Sequence, residues 1–249
     1  MKLLHKLLLA CVPLAALTAC GGGDTEDRLD VADPDVRFVH AAPAAPAVTL
    51  YRGTVAQPDA TDVTYPFASD YFDVDSSDAD WSVKTTVGGL DVGTVRIDPN
   101  RGTKYTVVAL QTSATAAGTY LIADPYNKPL GSDSTRLRVM NASYNTASVD
   151  VYMNAPGTDI ATVTPLISAT PFGASGPVTG SDSVDIPGGT YQVTITSAGT
   201  KTVVFKGQLS FAKNEDVLIL TVPDAAATSG VSALVKVEGV AGATPIAPI

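Results

Sequence analysis

Five aspartates crowd eleven residues of this chain: Asp70, Asp73, Asp75, Asp78 and Asp80, in DYFDVDSSDAD. Hard carboxylate oxygens at alternating positions are the ligands calcium prefers. The spacing is not that of an EF-hand loop, because Asp78 stands where the turn glycine belongs and Lys84 where the bidentate glutamate belongs. Asp73, Asp75, Asp78 and Asp80 are therefore weak calcium candidates, weighed against a solvated acidic loop, the commoner fate of such a run. Histidine occurs only at His5 and His40. A nucleophilic enzyme needs a nucleophile, a base and an orienting carboxylate in mutual reach. No Gly-x-Ser-x-Gly elbow is present, and Gly173-Ala174-Ser175-Gly176 fails the spacing. His40 ends an apolar run and enters Ala41-Ala42-Pro43, where its ring can bond loop backbone; that structural role is the expectation. Arg37 and Arg138 invite a choice between carboxylate or glycan recognition and an outward strand residue paired with a nearby Asp. The second is the commoner arrangement, and such exposed pairs contribute little to stability. Tyr51, Tyr152, Trp81 and Tyr191 are either sugar platforms or sandwich core, and their register with Val and Ile favours core. Twenty-two aspartates make chance carboxylate pairs of the glycosidase kind easy to find, but no spacing singles one out. No cofactor fingerprint, phosphate loop or catalytic set is legible.

The chain that must position these groups has 249 residues, 16 Lys+Arg against 25 Asp+Glu, and a formal charge of -9. With 45% hydrophobic and 16% charged residues it is too apolar to be disordered throughout. Its acidity argues against nucleic acid, which asks for a basic footprint. Two cysteines and two histidines exclude a disulfide scaffold and a Cys/His zinc cluster.

Residues 1–19 form an export signal. Lys2 and Lys6 precede an apolar stretch from Leu7 to Leu17 that Pro13 interrupts. It is shorter than the roughly 20 residues a bilayer-spanning helix needs. Leu17-Thr18-Ala19-Cys20, followed by Gly21, resembles the bacterial lipobox. The resemblance implies cleavage before Cys20, lipidation of Cys20, and membrane attachment through that anchor. Cys11 would be discarded, and loss of Lys2 and Lys6 would take the charge from -9 to -11. Gly21 is not the retention Asp, so the outer membrane is the expected address in a host that has one. From Cys20 to Asp35 runs a tether with three Gly, five Asp and one Glu and no apolar period.

An internal repeat follows. VRFVHAAPAAPAVTLYRG from Val36 aligns without gaps to LRVMNASYNTASVDVYMN from Leu137, at an offset of 101 residues. Arg37 meets Arg138, His40 meets Asn141, Val48 meets Val149 and Tyr51 meets Tyr152. Further on, Tyr65-Pro66-Phe67 resembles Thr170-Pro171-Phe172, Trp81-Ser82-Val83-Lys84 resembles Tyr191-Gln192-Val193-Thr194, and Tyr105–Leu110 resembles Asp216–Thr221. Segments rich in Val, Thr, Tyr and Ile, punctuated by Gly turns, read as strands throughout. They are 36–40, 47–52, 80–87, 103–111 and 119–123, then 136–141, 148–153, 183–186, 190–197, 200–205, 216–222 and 231–237. Strands with one apolar face pack sheet on sheet. The expectation is an all-β chain of two tandem antiparallel β-sandwiches, at 36–125 and 136–240, joined by a linker at 126–135 and followed by a tail at 241–249.

The segment from Arg37 to Tyr51 resembles the opening strand and turn of the bacterial DUF4397 domain, with His40, Ala41, Pro43, Ala45, Pro46 and Val48 at matching positions. The second unit keeps Arg138, Ala142, Ser143, Val149 and Asp150–Tyr152, and departs at Asn141, Tyr144 and Ala147. The resemblance implies immunoglobulin-like sandwiches in exported, surface-attached proteins, with no established activity. The function expected from all this is a non-enzymatic, lipid-anchored cell-envelope protein that binds or scaffolds an unknown protein or glycan partner. The alternatives are a carbohydrate-active hydrolase using paired Asp and a passive structural spacer.

Overall fold

The computed structural model describes residues 33–126 and 132–249; the expected export signal, Cys20 and most of the expected tether lie outside them. The first half forms β1 (Asp35–Ala41), β2 (Val48–Arg52), β3 (Val55–Ala56), β4 (Phe67–Ala68), β5 (Phe72–Asp73), β6 (Ala79–Thr85), β7 (Asp91–Ile97), β8 (Thr103–Gln111) and β9 (Ala117–Pro125). The second forms β10 (Ser134–Asn141), β11 (Ser148–Asn154), β12 (Ile167–Pro171), β13 (Ser175–Gly176), β14 (Val184–Pro187), β15 (Gly189–Ser197), β16 (Val203–Phe211), β17 (Asp216–Pro223), β18 (Val231–Val237) and β19 (Thr244–Pro245). A single 3-10 turn, Pro58–Ala60, is the helical content of the described residues.

The halves share one topology. The first has a sheet β4-β1-β8-β9, with β5 also on β1, and a sheet β3-β2-β6-β7. The second has β13-β10-β17-β18-β19, with β14 also on β10, and β12-β11-β15-β16. The chain is thus all-β and built of sandwiches. In each half one pairing is parallel, β1 with β8 and β10 with β17, among otherwise antiparallel ladders. Both partners of that pair are central, and the long connection between them passes through the opposite sheet.

Three apolar clusters fix the order of the layers. Val36 and Phe38 of β1 meet Leu50, Trp81 and Val83 of the outer sheet. Leu137 and Val139 of β10 meet Val151, Val193 and Ile195 of the other outer sheet. The third cluster belongs to both halves: Val39, Ala41, Val108, Leu110 and Ile122 pack on Met140, Ala142, Leu218, Leu220 and Leu234. The result is four layers, with the β1 and β10 sheets inside and buried on both faces. Strands buried on both faces read as continuous apolar runs rather than alternating ones. Val107-Val108-Ala109-Leu110 and Val217-Leu218-Ile219-Leu220 are such runs, and each is buried throughout.

Register corrects the alignment of the repeat. Val36 pairs with Tyr105, and its counterpart Leu137 pairs with Val217, so Tyr105 corresponds to Val217 and not to Asp216. A one-residue slip exchanges the two faces of a strand. Likewise Arg52 pairs with Trp81 and Met153 with Val193, which makes Val193 the counterpart of Trp81 in place of Tyr191. Seven strands among the described residues escaped the sequence reading: the two-residue β3, β4, β5, β13 and β19, the last within the expected tail, and the longer β7 and β12. In β7, Gly93 takes a φ of 157° where a Cβ would lie 2.9 Å from the backbone nitrogen of Thr119. In β12, Ala169 sits at φ 50° and the ladder to β11 shifts register. The strand placed at 200–205 lies at 203–211, since 198–202 turn.

Because the third cluster is common to both halves, chemical unfolding of the folded region should follow one transition that coincides by fluorescence and circular dichroism. Leu220→Ala should lower that whole transition by about 2–5 kcal/mol; two separable transitions would show that the halves fold independently.

Candidate functional site

His40 is wholly buried at the end of β1. Its Nδ1 accepts the amide of Ala42 at 3.3 Å and its Nε2 lies 3.3 Å from the carbonyl of Pro46, which ties down the Ala-Ala-Pro turn. Burial lowers its pKa. In the second half Asn141 ties down the matching turn: Oδ1 accepts Ser143 N at 3.4 Å, as His40 accepts Ala42, and Nδ2 donates to Thr146 O at 3.2 Å, one residue before the counterpart of Pro46. Asn and a neutral imidazole both offer one donor and one acceptor here. Asn141 Oδ1 also accepts the hydroxyls of Thr146 and Thr221, at 2.9 and 2.8 Å, so both side chains serve to fix backbone and neighbouring strands.

Arg37 and Arg138 do not face outward. They are 7% and 3% exposed, on the faces that the two inner sheets turn to each other. Arg138 donates to Asp124 Oδ1 at 2.9 Å and to the carbonyls of Pro177 and Ser181. Arg136 joins Asp124 at 3.0 Å and Asp216 at 3.4 Å. Arg37 donates to Thr106 at 2.9 Å and stacks over Tyr71 at 4.6 Å. Lys104 of β8 reaches Glu238 at 2.9 Å and lies 3.8 Å from the centre of the Tyr126 ring. Burial, with Asp216 nearby, pushes the Glu238 carboxyl up. Asp124, next to last in β9, accepts from Arg136, Arg138 and Ser183 and is the hub of this cluster. The space enclosed by these groups is about 20 Å³, room for one water and not for a sugar ring. Chemically the cluster is a joint between the halves.

The acidic run is distributed among cations. Asp75 takes a two-pronged bond from Arg52, at 2.7 and 2.8 Å. That bond, with Ser77, holds its carboxyl well below the usual range. Arg96 joins Asp78 and Asp80, and Asp70 meets the buried Lys236 at 2.7 Å. No three metal-ligating side chains among the described residues converge. Of the aromatics, Trp81 and Tyr152 are core, at 0% and 2% exposed, while Tyr51 and Tyr191 are half-buried.

Room for a ligand lies at the turn that His40 holds. One cleft of about 370 Å³ runs between Ala44–Pro46, Leu90–Val92 and the β8–β9 hairpin. A second, of about 360 Å³, shares Ala44, Gln111 and Ala114 with it and opens between the halves. The second cleft is built from matching positions of the repeat. Pro43 faces it from the first half and its counterpart Tyr144 from the second; Ala44 is matched by Asn145. Gln111 and Pro223 occupy equivalent ends of β8 and β17, and Ala114 and Ala225 come from the two matching hairpin turns. A third cleft, of about 230 Å³, lies along β12 and β13. The three clefts contain one carboxylate between them, Asp91. Composition and spacing gave no sign of these clefts. The one available signal was that Tyr144 and Asn145 depart from the first copy inside an otherwise matching turn.

Residues 34–152 match the family model described as a domain of unknown function, DUF4397; the match runs past β9 to take in β10 and most of β11. No curated protein matches the chain. Among solved structures, one reported under alpha-glucan recognition by family 41 carbohydrate-binding modules from streptococcal virulence factors is similar at 14% identity, over 76% of this chain and 93% of that one, with a TM-score of 0.26. A family 26 module from Eubacterium rectale, crystallised with maltoheptaose, is similar at 10% identity over 86% and 98%, with a TM-score of 0.23. At such scores neither likeness bears on function.

Two substitutions test the geometry. The unfolded chain binds the His40 proton near pH 6.5 and the folded chain only at lower pH, so stability should fall as the pH drops below about 6.5. His40→Asn should remove that part of the slope in denaturant titrations from pH 5 to 8, while His40→Ala should lower stability at every pH by freeing the turn. Asp124→Asn strips the shared partner from Arg136 and Arg138 and should cost about 3 kcal/mol in the same assay; an unchanged midpoint would remove the hub role.

Proposed function

We propose that this chain is a non-enzymatic, lipid-anchored protein of the bacterial cell envelope that binds a partner through the loop end of its sandwiches. The observation that carries the reading is a separation of chemistry from space. Asp124, Asp216 and Glu238 converge where there is room for a single water, whereas the three larger clefts described above hold one carboxylate, Asp91. A hydrolase of the glycosidase kind needs two carboxylates facing each other across the substrate. A binding site needs the opposite: a preformed, mostly apolar cleft with a few fixed polar groups. The spacer alternative gains nothing from a cleft assembled by both halves.

The anchor and the address rest on the Leu17–Cys20 motif, with Cys20 the lipidated residue and the outer membrane the destination. Membrane attachment by more than one acyl chain is stable, at about 0.8 kcal/mol for each buried methylene. The second half, with the topology of the first and a matching opening strand, is read as a further, diverged copy of the same unit. The acidic run at Asp73–Asp80 is read as a solvated, arginine-pinned loop, and calcium has no part in the proposal.

In cells fed a labelled fatty acid, the wild-type chain should carry the label and sediment with membranes, and Cys20→Ser should do neither. A soluble, unlabelled wild-type chain would remove the anchor from the proposal. A photo-reactive residue placed at Ala114 should capture an adduct in growing cells, whereas one at the exposed Val203 of β16 should not. Equal capture at both positions would show that the loop end is no preferred face.

A further inference from the structure

We infer that the cleft between the two halves is a site for an uncharged glycan chain, with Tyr144 as its stacking platform; the inference rests on the loop end being the binding face. The argument begins with the repeat. Where the copies agree, packing explains the agreement: Ala41 and Ala142 are buried at the joint, and Val48 and Val149 lie in the two cores. At the cleft they disagree, and packing does not demand it, because Tyr144 is half-buried and Asn145 is exposed. The first copy brings Pro43 and Ala44; the second brings a ring and an amide at the same two positions.

Asn145 is held in place. Its Nδ2 donates to the carbonyl of Gly230 at 2.6 Å, and Gly230 sits at φ 72° where a Cβ would lie 3.1 Å from that nitrogen. Asn145 is exposed and lines the cleft together with Tyr144, so it offers the side-chain oxygen of its fixed amide as an acceptor. Across the cleft Gln111 is fixed by Ala44 N at 3.3 Å and Ser113 O at 3.2 Å.

The lining then selects a chemistry. None of its residues carries a charge, so nothing rewards an anionic or cationic ligand. An aromatic face beside a fixed amide suits a sugar, whose C–H face stacks and whose hydroxyls hydrogen-bond. The cleft continues into its neighbour across Ala44, Gln111 and Ala114, which favours a chain over a compact molecule. A peptide adding as a strand would need an unpaired backbone edge. The hairpin here pairs with itself, Gln111 with Ala117 and Thr112 N with Ala116 O.

The test uses the full exported chain, electrophoresed through gels containing starch, a mixed-linkage β-glucan, mannan or galactan. At least one of these should retard the wild type, equally at low and high salt. Tyr144→Ala and Tyr144→Pro should weaken that interaction by about tenfold or more. Tyr144→Phe should retain it, and all variants should melt like the wild type. Retardation that survives Tyr144→Ala overturns the inference. So does a wild type that no neutral polysaccharide retards; if the Ala114 probe then captures a protein, the binding face stands and its ligand is a polypeptide. Failure of both assays removes both readings.

Discussion

Two β-sheets buried on both faces are the constraint from which the rest of this molecule follows. Each of the sheets built on β1 and β10 must satisfy an outer sheet on one side and its own counterpart on the other. Along β1, even-numbered residues serve the sandwich core and odd-numbered ones the joint, so every position in the strand is committed. That commitment explains why Arg37 and Arg138 recur: they occupy odd-face and joint-face positions where an apolar residue would extend the third cluster and an unpaired cation would be intolerable. Asp124 and carbonyl oxygens accept from Arg138, and Thr106 and the Tyr71 ring meet Arg37.

The joint therefore has two characters. At one end Leu110, Leu218 and Leu220 exclude water; at the other, arginines and carboxylates are tied across the halves. Apolar burial is undirected, about 25 cal/mol for each Å², and leaves the relative rotation of two flat sheets poorly specified. Ion pairs between buried groups contribute little net stability but specify geometry. In this molecule both kinds of contact join the same two sheets. The seam cleft lies where the fixed orientation brings the two copies of one turn together.

Much of this architecture was legible in the sequence. The strands ending at His40 and Asn141, the turns after them and the offset of 101 residues all follow from composition and spacing. So does the role of His40, since Asn141 can make similar backbone bonds. What escaped was whatever depends on a second layer. Alternation predicts one buried face, and Arg37, lying on the supposedly outer face, was read as exposed. The slip that set Tyr105 against Asp216 has the same origin: in a run apolar at every position, hydrophobicity no longer marks the register. β7 and β12 were hidden by Gly93 and Ala169, whose unusual backbone angles interrupt the strand pattern. The cleft itself is formed by residues from four separate turns, and no local signal gathers them.

The shared topology of the halves has one more consequence. The surface that β1 and β8 offer is the surface that β10 and β17 accept, so the first half of one molecule is also a fitting partner for the second half of another. Only the short run of sequence from Pro125 to Ser134 makes the internal partner the nearer one, by raising its effective concentration into the millimolar range. Crowding of newly folding copies shifts that competition toward exchanged dimers, in which each joint is complete but its two sides belong to different chains.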